Sequence, residues 1–311
     1  MMNAFADKPV FRFAPSPNGA LHLGHARSAI LNDEAARRSG GRLLLRMEDI
    51  DRARCTPELE RQIKNDLDWL NIRFEGPLRR QSEHFAFYGQ GLERLRGMGL
   101  AYTSFMTRGE LRQMVAEADA AGTPWPRDPD GAPHPPASEK SRSEEDCRKL
   151  MAKGRAYAWR LDMNAALERL GRTEISWRES AAPLQEPDEA RFDPRQWGDV
   201  VLARKDTPTS YHLAVVMDDA YQAVSHVIRG RDLYTATAVH RVLQSLLDLP
   251  EPTYHHHALI LDENGRKLSK SSGSAALSAR RIAGSSAAET RALSLSVDEP
   301  VAGFSLPETS G

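Results

Sequence analysis

The chain has 311 residues, a length that predicts about two domains of roughly 150 residues each. Its 42 basic and 43 acidic residues give a net charge of −1, so a nucleic-acid partner would need a local basic patch. Two cysteines, Cys55 and Cys147, exclude a disulfide framework. With no secretory pattern and no apolar run near about 18 residues, we expect a cytoplasmic monomer without a membrane partner.

The first 50 residues predict a β-strand, an α-helix and a second β-strand. An apolar strand at 10–14 is broken by the Pro- and Gly-containing segment 15–19, and helical periodicity then runs from Leu23 until Gly40-Gly41. The continuous apolar run Leu43–Met47 predicts the second strand, buried on both faces. This βαβ unit is how a doubly wound α/β domain with a parallel sheet begins.

The amino-acid composition changes after residue 100, where charged helical segments alternate with proline-dense stretches such as 123–126 and 131–136. We expect an inserted smaller α/β domain that splits the doubly wound sheet. Apolar runs predict strands at 200–202, 213–216, 224–228 and 258–261, and periodicity predicts a helix at 235–247. The expected units are the first half of the α/β domain at 1–100, the insertion at 101–196, the second half at 197–257, a loop with a short helical extension at 258–293, and a disordered tail at 294–311.

Two histidines, His22 and His25, stand at the start of the predicted helix, just beyond the end of a parallel strand. Open α/β sheets bind ligands there, and a helix N-terminus attracts anions through its unpaired N–H groups. The pair is suited to phosphate oxygens, with Gly24 leaving room for the ligand. The alternative is a helix cap with two surface histidines.

A second polar segment, Lys267-Leu268-Ser269-Lys270-Ser271, follows the last predicted strand. Its two ammonium groups suit the charge of a departing phosphate group, and its hydroxyls suit phosphate oxygens. A loop of this composition is otherwise merely solvated. It is not a P-loop, because the glycine spacing of that motif is missing.

Together, His22-Leu23-Gly24-His25 and the Lys267–Ser271 segment resemble the two ATP-binding signatures of class I aminoacyl-tRNA synthetases. Further segments resemble the glutamyl branch of that family; they are residues 12–17, 45–51 and 224–232. The resemblance covers most of residues 9–275 and is weakest between about 105 and 190. It implies a Rossmann-type catalytic domain that adenylates glutamate with ATP and Mg²⁺ and passes the acyl group to RNA.

The resemblance also implies roles for individual residues. His22, His25, Lys267 and Lys270 are the implied catalytic residues. The implied ATP-binding residues are Pro17, Gly19, His22, Gly24, His25, Ser269 and Lys270. The implied glutamate-binding residues are Arg12, Ala14, Ser16, Glu48, Tyr211 and Arg229, a set in which guanidinium groups suit the two carboxylates of glutamate and a carboxylate suits its ammonium.

Only 40 residues follow Ser271, too few for the helical anticodon-reading domain of a complete glutamate–tRNA ligase, so we expect that domain to be missing. This architecture resembles a short branch of the family that transfers glutamate to the queuosine base in the anticodon loop of tRNA(Asp). Three alternatives stay open: a ligase charging the 3′ end of tRNA(Glu), a ligase that gives activated glutamate to a small molecule or protein, and a non-catalytic relic of the fold.

Many relatives carry a zinc site that begins with Cys-x-Cys after a tyrosine. Here Tyr102 is followed by Thr103-Ser104-Phe105-Met106, so we expect no zinc and assign no metal ligand. The run His255–His257 is not a metal site either, because neighbouring side chains on a strand point to opposite faces. The arginine pairs 37–38, 79–80 and 280–281 are candidate RNA contacts.

Overall fold

The computed structural model describes residues 8–261 and 276–296. The strands in these ranges are β1 (Val10–Phe13), β2 (Arg42–Met47), β3 (Arg79–Arg80), β4 (Ala101–Ser104), β5 (Ala158–Leu161), β6 (Ile175–Glu179), β7 (Asp188–Phe192), β8 (Val201–Arg204), β9 (His226–Gly230) and β10 (Thr253–His257). The α-helices are α1 (Leu23–Ser39), α2 (Pro57–Trp69), α3 (Phe85–Gly97), α4 (Arg108–Ala120), α5 (Glu144–Ala152), α6 (Met163–Leu170), α7 (Tyr211–Tyr221), α8 (Ala236–Leu246), α9 (Leu277–Ile282) and α10 (Ala287–Leu295). Every one of these helices is too short or too polar to span a bilayer.

The predicted βαβ unit is confirmed. Strands β1 and β2 pair in parallel, with Val10 opposite Arg42 and Phe13 opposite Leu45. Helix α1 ends at Ser39 because Gly40 adopts a left-handed conformation with φ of 62°, which glycine reaches without a steric penalty. The sequence therefore located this helix C-terminus correctly.

The central sheet is parallel over most of its width. β3, β2 and β1 form one hydrogen-bonded group, and β9, β10 and β6 form a second parallel group, with β7 antiparallel at its edge. The two groups meet where Val10 N–H donates to Ser225 Oγ (2.8 Å) and Ser225 N–H donates to the Val10 carbonyl (3.0 Å). The carboxyl ends of β1 and β9 consequently lie side by side, where parallel sheets bind ligands.

Apolar side chains cover both faces of this sheet. Phe11, Leu43 and Leu45 pack on one face with α1 and α2, whereas Val10 and Leu44 pack on the other with α3, α7 and α8. The alternation follows from the pleat of a strand, in which successive side chains point to opposite faces. Both faces of β1 and β2 are thus buried, as the apolar runs in the sequence predicted.

Two strand predictions are wrong. Residues 213–216 lie inside α7, which begins after the Ser210 cap and is buried between α3 and α8. A helix that is apolar on all sides shows no amphipathic period, so a short apolar run resembles a strand. Within residues 8–261 and 276–296 the last strand is β10, and residues 258–260 have no regular structure.

β4, β5 and β8 form a separate antiparallel sheet, and β6 and β7 of the central sheet lie between β5 and β8 in chain order. β8 confirms the strand predicted at 200–202, but it extends this outer sheet and does not belong to the central one as expected. β6 lies within the range predicted as the insertion and nevertheless pairs with β10. The domain boundaries at 100, 196 and 257 stay predictions.

Candidate active site

The two predicted histidines cap the N-terminus of α1, because each ring accepts a hydrogen bond from a backbone N–H group there. The backbone N–H of Gly24 donates to His22 Nδ1 (3.1 Å), and the backbone N–H of His22 donates to His25 Nδ1 (3.1 Å). The two rings lie 3.8 Å apart between centroids. The helix-cap interpretation is therefore confirmed, and it does not exclude a ligand.

The cap fixes where each imidazole carries its proton. Because both Nδ1 atoms accept from backbone N–H groups, the neutral ring of His22 and that of His25 each carry their proton on Nε2. Gly24 has its own structural reason: a Cβ there would lie 3.0 Å from His22 Cε1, tighter than most real contacts. The glycine thus permits the capping position of the His22 ring.

A cavity of about 710 Å³, which we call the inner cavity, opens beside this helix terminus. Side chains from the ends of β1, β2 and β9 and from the start of α1 line it. Of the predicted site residues, those that line the inner cavity are Arg12, Ala14, Ser16, His22, Gly24, His25, Glu48, Tyr211 and Arg229. The structure therefore brings together two histidines, two arginines and a carboxylate that are separated by up to about 200 positions in the sequence.

Arg12 is buried, and only one side of its guanidinium is used by the protein. Its Nε–H donates to Asp219 Oδ1 (3.2 Å), and Arg46 donates to the same oxygen from Nη2 (2.6 Å). Burial acts to raise the pKa of Asp219, but Arg12 and Arg46 outweigh it and hold that pKa below its usual value. Neither terminal nitrogen of Arg12 has a hydrogen-bond partner among the described residues, which leaves a two-donor fork for a carboxylate.

Glu48 is one of two acidic residues that line the inner cavity; the other is Asp232. Burial raises the pKa of Glu48 from 4.5 to about 7, against the opposing effects of Arg46 and Arg12. Its carboxylate has no hydrogen-bond partner among residues 8–261 and 276–296, and it faces the cavity. A partly buried carboxylate without a hydrogen-bond partner is stabilised by a cationic ligand such as an ammonium group.

Arg229 differs from Arg12, because every N–H group of its guanidinium already has an acceptor within the protein. Its distance to the Tyr211 hydroxyl, 3.3 Å, is the longest of five. The other four acceptors are His256 Nε2 (3.0 Å), His240 Nδ1 (3.2 Å), the Leu233 carbonyl (3.1 Å) and Thr237 Oγ1 (2.8 Å). Arg229 therefore contributes charge and positions Tyr211 in this state, and it has no spare donor for a ligand.

Tyr211 begins α7 and accepts from Arg229, so its own O–H is available to donate into the cavity. Burial raises the pKa of Tyr211 to about 12, which keeps this hydroxyl protonated. A tyrosine at this point was predicted as a hydroxyl donor beside the amino acid. The geometry fits that prediction and also explains what orients the hydroxyl.

A second cavity of about 910 Å³, the outer cavity, adjoins the inner one. Ser16, Glu48 and Tyr211 line both, so these three residues mark the junction. Much of the remaining lining comes from β5 and β8 of the outer sheet, from α4 and from the proline-dense loop around residue 134. The site thus has two connected compartments with an acidic group and a hydroxyl between them.

Two groups of predicted site residues are not brought to the inner cavity by the described structure. Pro17 and Gly19 line neither cavity, and the Pro17 carbonyl accepts from Thr56 N–H (3.3 Å). Lys267, Ser269 and Lys270 lie outside the described residues. The roles of all five stay predictions.

Hydrogen bonds hold the segment after Tyr102, where we expect no zinc. Glu139 Oε2 accepts from Ser104 Oγ (3.0 Å), Phe105 N–H (2.6 Å) and Met106 N–H (3.0 Å), and Glu139 Oε1 pairs with Arg142 (2.7 Å). Ser104 and Met106 stand at the two positions where the family resemblance implies cysteines for a zinc site. In the described ranges, no group of three His, Cys, Asp or Glu side chains is arranged to hold a metal.

The histidine run on β10 is buried and its members point in different directions, as a strand requires. His255 Nδ1 bonds to the Ser180 carbonyl (2.9 Å), His256 Nδ1 to Glu179 (2.9 Å), and His257 Nε2 to Ser28 Oγ (2.6 Å). His257 also lines the inner cavity.

One of the candidate RNA contacts is wrong. Arg79 is buried and donates to Asp218 Oδ1 (2.6 Å), so it is part of the core and not of the surface. Its neighbour Arg80 is half-buried and pairs with Glu60 (2.7 Å). The sequence alone made these adjacent arginines look like exposed residues, because the carboxylates that pair with them are distant in the sequence.

Sequence reasoning missed the acidic pair at the end of α7. Asp218 is fully buried and accepts from Arg79, Gln81 and Tyr88 (2.6, 2.9 and 2.9 Å), while Asp219 holds Arg12. The signal was present, since two consecutive aspartates follow the apolar run 213–217 and a buried charge requires a buried partner.

Comparison with known proteins places this site in a family. Residues 9–288 match the family model described as tRNA synthetases class I (E and Q), catalytic domain. The chain is 45% identical over 286 residues to "Glutamyl-Q tRNA(Asp) synthetase" of Rhodobacter capsulatus, covering 91% of this chain and 99% of that protein. The chain belongs to this class I family, in its glutamyl-Q tRNA(Asp) synthetase branch. A protein of the same name from Symbiobacterium thermophilum is 37% identical, over 88% of this chain and 82% of its own length.

Members of the glutamate–tRNA ligase branch are also similar. A crystal structure of a glutamate tRNA ligase from Elizabethkingia meningosepticum in complex with its amino acid matches with a TM-score of 0.69 and 29% identity. The match covers 86% of this chain, which spans only 53% of the length of that ligase.

Proposed function

We propose that this chain is an ATP-dependent ligase that activates L-glutamate as glutamyl-adenylate and then transfers the glutamyl group to the queuosine base in the anticodon loop of tRNA(Asp). The activation step is supported by one observation. Arg12, with its two-donor fork, and Glu48, whose carboxylate has no hydrogen-bond partner among the described residues, line the same cavity. The names of the relatives from Rhodobacter capsulatus and Symbiobacterium thermophilum support the acceptor.

Glutamate carries two carboxylates and one ammonium, and the inner cavity offers a complementary set. In our proposal the Arg12 fork binds one carboxylate, the Tyr211 hydroxyl donates beside it, and Glu48 receives the ammonium. Arg229 supplies positive charge and orients Tyr211. Ala14 and Ser16 contribute the wall between these groups.

Activation requires the α-carboxylate of glutamate to attack the α-phosphorus of ATP while pyrophosphate leaves. No general base is needed, because a carboxylate is already a nucleophile, so the protein's contribution is positioning and stabilisation of negative charge. The Nε2–H groups of His22 and His25 and the positive end of α1 suit the phosphate oxygens. We propose that Lys267 and Lys270 follow the leaving pyrophosphate, with Ser269 beside them.

ATP enters as its Mg²⁺ complex in this proposal. Mg²⁺ keeps several water ligands and binds through substrate phosphates, so few protein oxygens are needed. Its contribution is to neutralise phosphate charge.

Transfer then breaks the acyl bond to AMP as a hydroxyl oxygen of the acceptor bonds to the acyl carbon; AMP leaves, and the hydroxyl proton is released to the AMP phosphate or to water. The outer cavity supports an RNA acceptor, since it meets the inner cavity at Glu48 and Tyr211. Four exposed arginines line it: Arg54, Arg108, Arg112 and Arg204. Arg54 is paired with Asp51 (2.6 Å), and the other three suit phosphate contacts. A nucleotide of a loop, unlike one in a helix, can be unstacked to enter such a compartment.

The activation step is tested by exchange of labelled pyrophosphate into ATP in the presence of glutamate and the absence of RNA. Glutamine and aspartate serve as controls, because the first lacks the side-chain charge and the second is one methylene shorter. We expect exchange with glutamate only. No exchange with glutamate under these conditions would contradict the proposal.

A second candidate is a glutamate–tRNA ligase that charges the 3′ end of tRNA(Glu). It is favoured by the likeness to a protein named "Glutamate--tRNA ligase 2" from Methylorubrum populi, 36% identical over 93% of this chain and 60% of that protein. Both candidates share the activation step. They differ in the site on tRNA that receives the glutamyl group. Mapping the position of labelled glutamate on the tRNA product distinguishes them.

A further inference from the structure

A chain of hydrogen bonds runs from Arg229 to the outer cavity and has a single allowed direction. A guanidinium can only donate, so the contact from Arg229 Nη1 to His240 Nδ1 (3.2 Å) makes that nitrogen an acceptor. His240 therefore carries its proton on Nε2, which lies 3.2 Å from His212 Nδ1. His240 donates, His212 accepts, and the proton of a neutral His212 must be on Nε2.

Both rings are held neutral by their surroundings. Burial lowers the pKa of His212 to about 4, and the charge of Arg229 acts in the same direction. Burial and Arg229 also hold the pKa of His240 well below its usual value. At neutral pH neither ring is a cation, so the tautomers follow from the hydrogen bonds alone.

His212 Nε2 faces the outer cavity. The ring lines that cavity, and its other nitrogen is taken by His240. It is fixed edge-on between Trp197 (centroids 5.8 Å apart) and Tyr211 (5.4 Å). Within residues 8–261 and 276–296, Nε2 of His212 has no hydrogen-bond partner.

We propose that His212 is a binding residue for the acceptor: its Nε2–H donates to an oxygen atom of the nucleoside that receives the glutamyl group. This inference rests on the proposed function and deepens it. A fixed neutral donor suits an uncharged oxygen better than a phosphate. His212 stands next to Tyr211, at the junction of the two cavities, where that nucleoside must meet the glutamyl group. Because Nε2 carries the proton and Nδ1 is already bonded, His212 does not act as a base.

The test compares two substitutions that differ in their donor. His212→Phe keeps a flat ring without a donor, and His212→Gln keeps an N–H group. For each variant we would measure glutamate activation by pyrophosphate exchange, and transfer to queuosine-containing tRNA(Asp) from the preformed adenylate in a single turnover. The control is His226→Phe, which removes a partly buried histidine that lines neither cavity.

We expect His212→Phe to lower transfer about tenfold more than it lowers activation, the loss that one hydrogen bond of about 1.4 kcal/mol would produce. We expect His212→Gln and His226→Phe to keep the ratio of transfer to activation within about threefold of wild type. An unchanged ratio in His212→Phe would overturn the inference. A wild-type protein that makes no adenylate would instead overturn the proposed function.

A second measurement uses the wild-type protein and does not depend on how the variants fold. In a long-range ¹H–¹⁵N spectrum of the histidine-labelled protein, we expect His212 to be the Nε2–H tautomer and its Nε2 signal to shift when the queuosine-containing RNA is added. An Nδ1–H tautomer, or signals that do not respond to the RNA, would contradict the proposal.

Discussion

Replacing Glu48 by glutamine should make the ligand-free protein more stable, although it removes the proposed ammonium-binding group. Burial raises the pKa of Glu48 from 4.5 to about 7, so the folded protein resists ionising this group. In the unfolded chain the carboxyl ionises near its usual value. At a pH between these two pKa values, Glu48 is protonated in the folded state and ionised in the unfolded state. The free energy of unfolding therefore falls as the pH rises through this range.

The size of this effect follows from the gap between the two pKa values. At about 1.4 kcal/mol per pKa unit, the raised pKa of Glu48 lowers the free energy of unfolding by about 3 kcal/mol above pH 7 and by about 1 kcal/mol at pH 5. Glutamine has the same shape and does not ionise. The stability of Glu48→Gln relative to wild type should thus increase by about 2 kcal/mol from pH 5 to pH 8.

Urea unfolding of both proteins at pH 5, 7 and 8 without ligand measures this difference. Glu75→Gln is the control, because Glu75 is an exposed carboxylate paired with Arg42. Glu48→Gln should also lose at least tenfold in kcat/KM for glutamate in pyrophosphate exchange, whereas Glu75→Gln should not. A stability difference that does not change with pH, or a Gln variant that is less stable at pH 8, would refute the reasoning.

Three further predictions concern other buried charges. Asp218→Asn should lower the free energy of unfolding by about 3–5 kcal/mol, because Arg79 loses its buried counter-charge; a loss under about 1 kcal/mol in urea unfolding would contradict this. Arg12→Lys should raise KM for glutamate about tenfold or more in the exchange assay, since an ammonium cannot replace the two-donor fork; an unchanged KM would exclude the fork. Glu139→Gln should cost about 1–3 kcal/mol in unfolding free energy, whereas a zinc chelator should leave the wild-type melting temperature unchanged; a fall with chelator would indicate a structural metal.

Local signals in the sequence were sufficient for the elements that begin the fold. Gly40 marked the end of α1, and the apolar run Leu43–Met47 marked β2, because a left-handed glycine and a strand buried on both faces each leave a local pattern. The helix at Ala236–Leu246 was also found from its period. These elements place the α1 terminus at the carboxyl edge of the sheet.

Tertiary contacts decided the elements that the sequence misplaced. The last strand was predicted at 258–261, whereas β10 covers Thr253–His257, where each of the three histidines finds a partner from another part of the chain. Residues 213–216 looked like a strand because α7 is buried on every side. A one-dimensional pattern does not contain the partners that satisfy a buried polar group.

The same limit applies to the site. The family resemblance implied that both Arg12 and Arg229 bind glutamate, but their hydrogen-bond partners differ in the structure. Arg12 keeps two free nitrogens among the described residues, whereas all donors of Arg229 are used within the protein. The direction of the chain through His240 to His212 was likewise invisible until the contacts were known.

The most direct test of the central claim is to incubate the protein with ATP, Mg²⁺ and labelled glutamate together with tRNA(Asp), either containing or lacking queuosine, and then to map the label by nuclease digestion. The account predicts label in the anticodon loop of the queuosine-containing tRNA(Asp) and none on the queuosine-free form. Label at the 3′ end, or on tRNA(Glu) in a parallel reaction, would contradict it.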